Sequence, residues 1–159
     1  MMNVAKLQAS DGTVVWEMTH DAGSGAEAIA FTDDGGFIVC GYIESEYQAA
    51  EQNFKSAGQV EEATPFVAKV SAADAAGDSA PTSFEWEWSE TGEEFTGSAK
   101  TIRLDSDGNI YTVIGKSAVV KLDSSGTEVW NAGYMSNIQL NDLELASDGL
   151  VAIGHQYIN

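Results

Sequence analysis

Cysteine is almost missing: Cys40 is the only one in 159 residues. A lone cysteine excludes an internal disulfide framework and any metal site built from several thiolates. Basic residues are scarce too, with 7 Lys and Arg against 25 Asp and Glu and a formal charge of −18. Such a surface repels phosphate backbones and anionic headgroups, which argues against nucleic acid and membrane surfaces as partners. No apolar run approaches the ~18 residues of a bilayer-spanning helix, so no membrane insertion is expected. The opening Met1-Met2-Asn3-Val4-Ala5-Lys6 enters a strand-like pattern directly, with no secretory apolar core. Histidine occurs only at His20 and His155, and no His-x-x-x-His or His-Glu pair is present for a metal.

What the chain does contain is repetition, which must be read before anything else because it sets the fold. One pattern is an apolar strand with a Lys near its end, a turn, and a strand bearing Trp. It runs from Val4-Ala5-Lys6-Leu7 to Trp16, from Val67-Ala68-Lys69-Val70 to Trp86-Glu87-Trp88, and from Val119-Val120-Lys121-Leu122 to Trp130. The other is an alternating strand, an Asp-Gly turn and an apolar strand. It runs from Ala28-Ile29-Ala30-Phe31 to Phe37-Ile38-Val39, from Thr101-Ile102-Arg103-Leu104 to Ile110-Tyr111-Thr112-Val113, and from Asp142-Leu143-Glu144-Leu145 to Leu150-Val151-Ala152-Ile153. Short strands rich in Val, Ile, Tyr and Trp, bounded by Asp-Gly and Ser-Gly turns, predict an all-β fold. Four strands per interval is the signature of β-propeller blades, whose single sheets must stack to bury their apolar faces.

These elements carry a resemblance. Lys6-Leu7-Gln8-Ala9-Ser10-Asp11-Gly12-Thr13-Val14-Val15-Trp16 and Lys121-Leu122-Asp123-Ser124-Ser125-Gly126-Thr127-Glu128-Val129-Trp130 resemble the strand–turn–Trp element of pyrroloquinoline-quinone-type propeller repeats. Together with Thr32-Asp33-Asp34-Gly35-Gly36-Phe37-Ile38-Val39-Cys40-Gly41-Tyr42, they are similar to bacterial propeller repeats of that type. The resemblance implies four-stranded antiparallel blades with the Ala-Ile-Ala-Phe-like strand innermost and the Trp strand outermost. It carries over no cofactor ligands, because no position matches a family cofactor-binding motif.

On that phase the chain opens with two outer strands at 3–18. Two complete blades follow at about 26–89 and 98–131, and two inner strands end the chain at about 139–146 and 150–158. The expectation is twelve strands and three blade equivalents in one propeller domain, or part of one, over residues 1–159. Three blades fall short of the roughly four to eight that close a ring. Completion to six by a second chain is the leading closure. The alternatives are a fragment of a longer propeller and a repeating assembly.

Two insertions interrupt the pattern. Between about 44 and 65, Ser45 to Lys55 has helix formers, with Tyr47, Ala50 and Phe54 on one face and Gly58 as a stop. This insertion is the candidate partner contact, with tolerated surface elaboration as the plainer reading. The second, 72–83, reads as a flexible loop.

Candidate chemistry is sparse. Glu85, Glu87, Glu90, Glu93 and Glu94 cluster without a base among them, and Glu61 and Glu62 flank the first insertion. They read as a solvated face before a cation site. Asp105-Ser106-Asp107-Gly108-Asn109 alternates oxygen donors but lacks EF-hand spacing, so it reads as a hairpin turn, like Ser147-Asp148-Gly149. Gly23-Ser24-Gly25 lacks the Lys and βαβ setting of a phosphate cradle. His20 reads as a polar loop residue, Cys40 as a buried small hydrophobe, and Trp16, Trp86, Trp88 and Trp130 as packing between blades. No catalytic, cofactor-binding or metal-binding residues are assigned. The expected function is a non-enzymatic structural or protein-interaction module that self-associates or binds a protein partner. The alternative is a cation, sugar or quinone site, or an enzyme, whose pocket forms on ring closure. Lys100, Arg103, Asp142 and Glu144 are its candidate channel residues. One cysteine and no Asn-x-Ser/Thr sequon fit a cytosolic home, whereas repeats of this type are commonly exported, so the compartment stays open.

Overall fold

The computed structural model describes residues 1–20, 23–44, 63–90, 95, 97–115, 117–133 and 138–156. Among them are twelve strands and one short helix. The strands fall into four antiparallel sheets, consecutive in sequence. The first pairs β1 (Met2–Leu7) with β2 (Val14–His20). The second runs in order through β3 (Ser24–Phe31), β4 (Phe37–Glu44), β5 (Ala63–Val70) and β6 (Trp86–Ser89). The third runs through β7 (Arg103–Leu104), β8 (Ile110–Ile114), β9 (Ala118–Leu122) and β10 (Glu128–Gly133). The fourth pairs β11 (Ile138–Ala146) with β12 (Gly149–Gln156). The all-β reading holds, and the strands lie where the repeat pattern places them.

Turn chemistry sets each hairpin locally. Asp123 Oδ1 accepts the backbone N–H groups of Ser125 and Thr127, both at 2.9 Å, so the side chain holds the chain in its reversal. Asp105 does the same for Asp107 and Asn109. Gly35, Gly108 and Gly126 follow at φ of 90°, 77° and 83°, which a side chain would resist. Gly149 is an exception to the expected positive-φ turn. Ala146 pairs directly with Gly149, so this hairpin turns on Ser147 and Asp148 alone.

The registers repeat from sheet to sheet. Lys6 lies opposite Trp16, Lys69 opposite Trp86, and Lys121 opposite Trp130. The β3–β4 and β11–β12 hairpins also share a register. Ala26 faces Gly41 and Leu140 faces Gly154, each followed by a bulge, and then Ala28 faces Cys40 and Asp142 faces Ile153. Both glycines are obligatory in the same way, because a Cβ on Gly41 would enter the Gly25 carbonyl and one on Gly154 the Gln139 carbonyl.

Three buried clusters join the four sheets in order. Met2, Trp16 and Met18 of the first sheet pack on Phe37, Val39 and Phe66 of the second. From the other face of the second sheet, Ile38, Cys40 and Val67 meet Ile110, Val120 and Leu122 of the third. Tyr111 and Val113 of the third then meet Leu140 and Leu143 of the fourth. Alternation along β4 explains the arrangement, since Phe37 and Val39 point one way and Ile38 and Cys40 the other. Burying one such side chain contributes about 1.5–3 kcal/mol, against about 1 kcal/mol net for a hydrogen bond. Face burial therefore governs the stacking.

The second insertion is not wholly loop. Ser71 accepts the Asp74 N–H and starts a five-residue helix, α1 (Ala72–Ala76). Lys6 Nζ donates to the carbonyls of Ala75, Ala76 and Gly77 at 3.0–3.1 Å, closing the other end of α1. That cap lies some seventy residues away in the chain, beyond the reach of a local reading.

Candidate functional site

The two outer sheets of the stack have two strands each, and their pairing edges differ from those of the middle sheets. Among the described residues, β1 ladders only with β2, and β12 only with β11. In the middle sheets the corresponding edges are paired, β4 with β5 and β8 with β9. Both open edges adjoin uncovered apolar side chains.

At the first sheet, a groove of about 320 Å³ lies between β1 and β3, lined among others by Val4, Lys6, Leu7, Trp16, Ile29 and Phe31. Ile29 is opposite Val39 and Phe31 opposite Phe37, so both share the face that the first sheet covers at β4 and β5. Even so, Ile29 is 53% and Phe31 74% exposed. At the fourth sheet, Leu150 packs inward with Leu143, and alternation turns Val151 and Ile153 outward. These two are 56% and 61% exposed.

The marker lysines have structural partners. Lys69 Nζ reaches Asp34 at 2.6 Å and Glu85 at 3.4 Å. The hydrogen bond to Lys69, with those from Thr32 and Gly36, holds the Asp34 carboxyl well below the usual carboxylate range. Lys121 sits 5.1 Å from the centroid of the Tyr111 ring, whose hydroxyl donates to Asp105 at 3.0 Å. Asp105 also accepts Asn109 Nδ2 at 2.8 Å. Its oxygens are thus engaged within the turn, as a hairpin role requires.

Of the four channel candidates, three come together. Arg103 Nε donates to Glu144 at 2.8 Å, and its Nη2 to Asp142 at 3.0 and 3.1 Å, bridging the third and fourth sheets at their first strands. Lys100 is not a member of this bridge; burial pushes its ammonium below the usual range, against the opposing pull of the Glu27 carboxylate.

His20 ends β2, where its ring stacks on Phe66 at 5.6 Å and meets Phe84 edge-on at 5.0 Å. It belongs to a strand end packed on aromatics, and the reading of His20 as a polar loop residue is corrected accordingly. His155 lies in β12, 3.5 Å from Asn141 Nδ2. Cys40 is fully buried, its thiol donates to the Ala99 carbonyl at 3.3 Å, and burial pushes its pKa up to about 12. Trp16 and Trp88 are buried between sheets, and Trp86 lies over Gly126 of the next sheet. Trp130 is 36% exposed and meets the Tyr111 ring at 6.2 Å.

Glu85 and Glu87 lie near Lys69 and His20, while Glu93 and Glu94 fall outside the described residues. Glu61, Glu62 and the helix expected over Ser45 to Lys55 fall outside them as well. Sequence reading missed Ile29, Phe31, Val151 and Ile153 as a group. Their alternation was visible, but their exposure depends on neighbouring sheets. Among the described residues, no helix is long and apolar enough to cross a membrane. No protein-family model matches the chain, and no curated protein is significantly similar to it.

Proposed function

We propose that this chain is a non-enzymatic, propeller-type structural or protein-interaction module, in which each four-stranded sheet is a blade and the open ends of the stack are the interaction surfaces. The observation that carries this reading is the exposure of Ile29 and Phe31 at one end and of Val151 and Ile153 at the other. Among the described residues each pair lies beside an unpaired strand edge, and an edge with apolar neighbours is a template for association. Self-association to six blades by two chains is the favoured form. The Arg103–Asp142–Glu144 cluster supports it over a pocket chemistry, because its charges are spent on joining two sheets.

Light scattering across a size-exclusion peak tests the reading. The expected mass is twice 16.8 kDa. The dimer should tighten with salt, because two chains of charge −18 repel each other at low ionic strength. A monomer at every concentration and salt level would overturn self-association.

A further inference from the structure

Each middle sheet shows how a first hairpin joins a second. In the second sheet Ile38 lies opposite Lys69, and in the third Tyr111 lies opposite Lys121. Both Ile38 and Tyr111 are the second residue after the turn in their strand. The shared bulged register makes Val151 the counterpart of Ile38, and Ile153 the counterpart of Cys40. The shared Lys–Trp register makes Lys6 the counterpart of Lys69 and Val4 that of Val67.

The faces agree with the edges. Leu104, the residue at the end of β7, packs in the cluster with Ile38 and Cys40 of the preceding sheet. Leu145, in the same place on β11, packs with Tyr111 and Val113 of the sheet before it. Phe31 holds that place on β3, but among the described residues the sheet before it supplies only β1 and β2, and its ring is left 74% exposed. What is missing over Phe31 is a hairpin bearing apolar residues at the Ile38 and Cys40 positions. Val151 and Ile153 are such residues, and they are uncovered.

Building on the self-association reading above, we infer that the β11–β12 hairpin of a second copy seats beside β1. It completes the first sheet in the order β11, β12, β1, β2, with the partner's Val151 opposite Lys6 and the partner's Ile153 opposite Val4. The partner's Val151 and Ile153 then cover Ile29 and Phe31. One chain alone supplies three sheet equivalents, whereas two supply six, within the roughly four to eight that close a ring. Two-fold symmetry makes both junctions identical, so no open edge of this kind remains.

Disulfide trapping tests the register. Opposed residues in an antiparallel pair have Cα atoms about 4.5–5.5 Å apart, within the roughly 4.4–6.8 Å that a disulfide spans. Cys40 can stay, since it is buried and its thiol is held protonated. Mixed Val4→Cys and Ile153→Cys chains should form a covalent dimer under mild oxidation. The chain carrying both substitutions should give a dimer band and no ladder. Mixing Ala5→Cys with Ile153→Cys is the one-residue slip that turns the sulfurs to opposite faces, and should trap at least tenfold less. A dimer by light scattering that traps with Ala5 and not Val4, or with neither, would overturn the register while leaving self-association standing. A ladder of higher species would overturn the closed ring. A monomer by light scattering would remove the self-association reading itself. On the unsubstituted chain, amide exchange in β1 and β12 should slow together as concentration rises. Unchanged exchange in a confirmed dimer would also overturn this docking.

Discussion

Lys69 Nζ and Asp34 Oδ2 lie 2.6 Å apart, joining the turn before β4 to the end of β5, two strands held in register by seven further ladder positions and a shared core. The Lys69 side chain is only 10% exposed, and Asp34 is about half exposed. The bridge therefore neutralises a nearly buried ammonium from a carboxylate that still sees water.

Substituting Asp34→Asn should cost no more than about 1 kcal/mol near neutral pH, because the exposed partner is screened. The pH dependence has a definite sign. The Asp34 carboxyl is depressed in the fold, so its contribution is full above its unfolded value near ~3.9 and is lost as pH falls toward the folded value. The Lys69 ammonium is raised, so its contribution persists until pH climbs past its unfolded value near ~10.4. Urea unfolding of the unsubstituted chain should weaken on acidification below about pH 4, and Asp34→Asn should flatten that limb. Equal acid sensitivity in both would rule the bridge out as its source.

Gly41→Ala should destabilise by about 1–3 kcal/mol, the usual range for overpacking. The added methyl meets the Gly25 carbonyl at the β3–β4 bulge, where neither strand can give without losing register. Gly149→Ala is the matched contrast, with nothing within 4 Å of its Cβ and no positive φ. It should change stability by less than about 0.5 kcal/mol. Similar losses at both sites, read from chemical denaturation, would contradict the bulge geometry.

Arg103→Gln should loosen the junction between the third and fourth sheets. Arg103 is 32% exposed and its two partners, Asp142 and Glu144, 44% and 72%, so the loss is at most about 1 kcal/mol. In 1 M salt, where charges are screened beyond ~3 Å, the difference between the two chains should shrink. A loss independent of salt would assign Arg103 a packing role.

Cys40 should be silent toward thiol reagents in the folded chain at pH 8, since it is fully buried and its pKa is pushed up to about 12. In denaturing urea one thiol per chain should react at the rate of a free cysteine. Fast labelling without urea would mean that the cluster between the second and third sheets opens readily.

Much of this molecule is local, and local structure is legible in sequence. Asp123 and Gly126 mark a turn whose length, with the bulge after Glu128, sets Lys121 opposite Trp130, while alternation keeps Val120 and Leu122 on the core face. The same reasoning places β3 through β10 and the two terminal hairpins, since period-two alternation and turn residues act over a few positions. The short helix α1 was not legible, because Lys6 caps it from the other end of a sheet. Nor was the contrast between Phe31 and Leu104. Both end a first strand with an apolar side chain, yet Leu104 is packed and Phe31 is open. Sequence determines which way each side chain points from its strand. Only the tertiary structure decides whether a neighbouring sheet lies over it, because burial depends on surfaces brought together from distant parts of the chain.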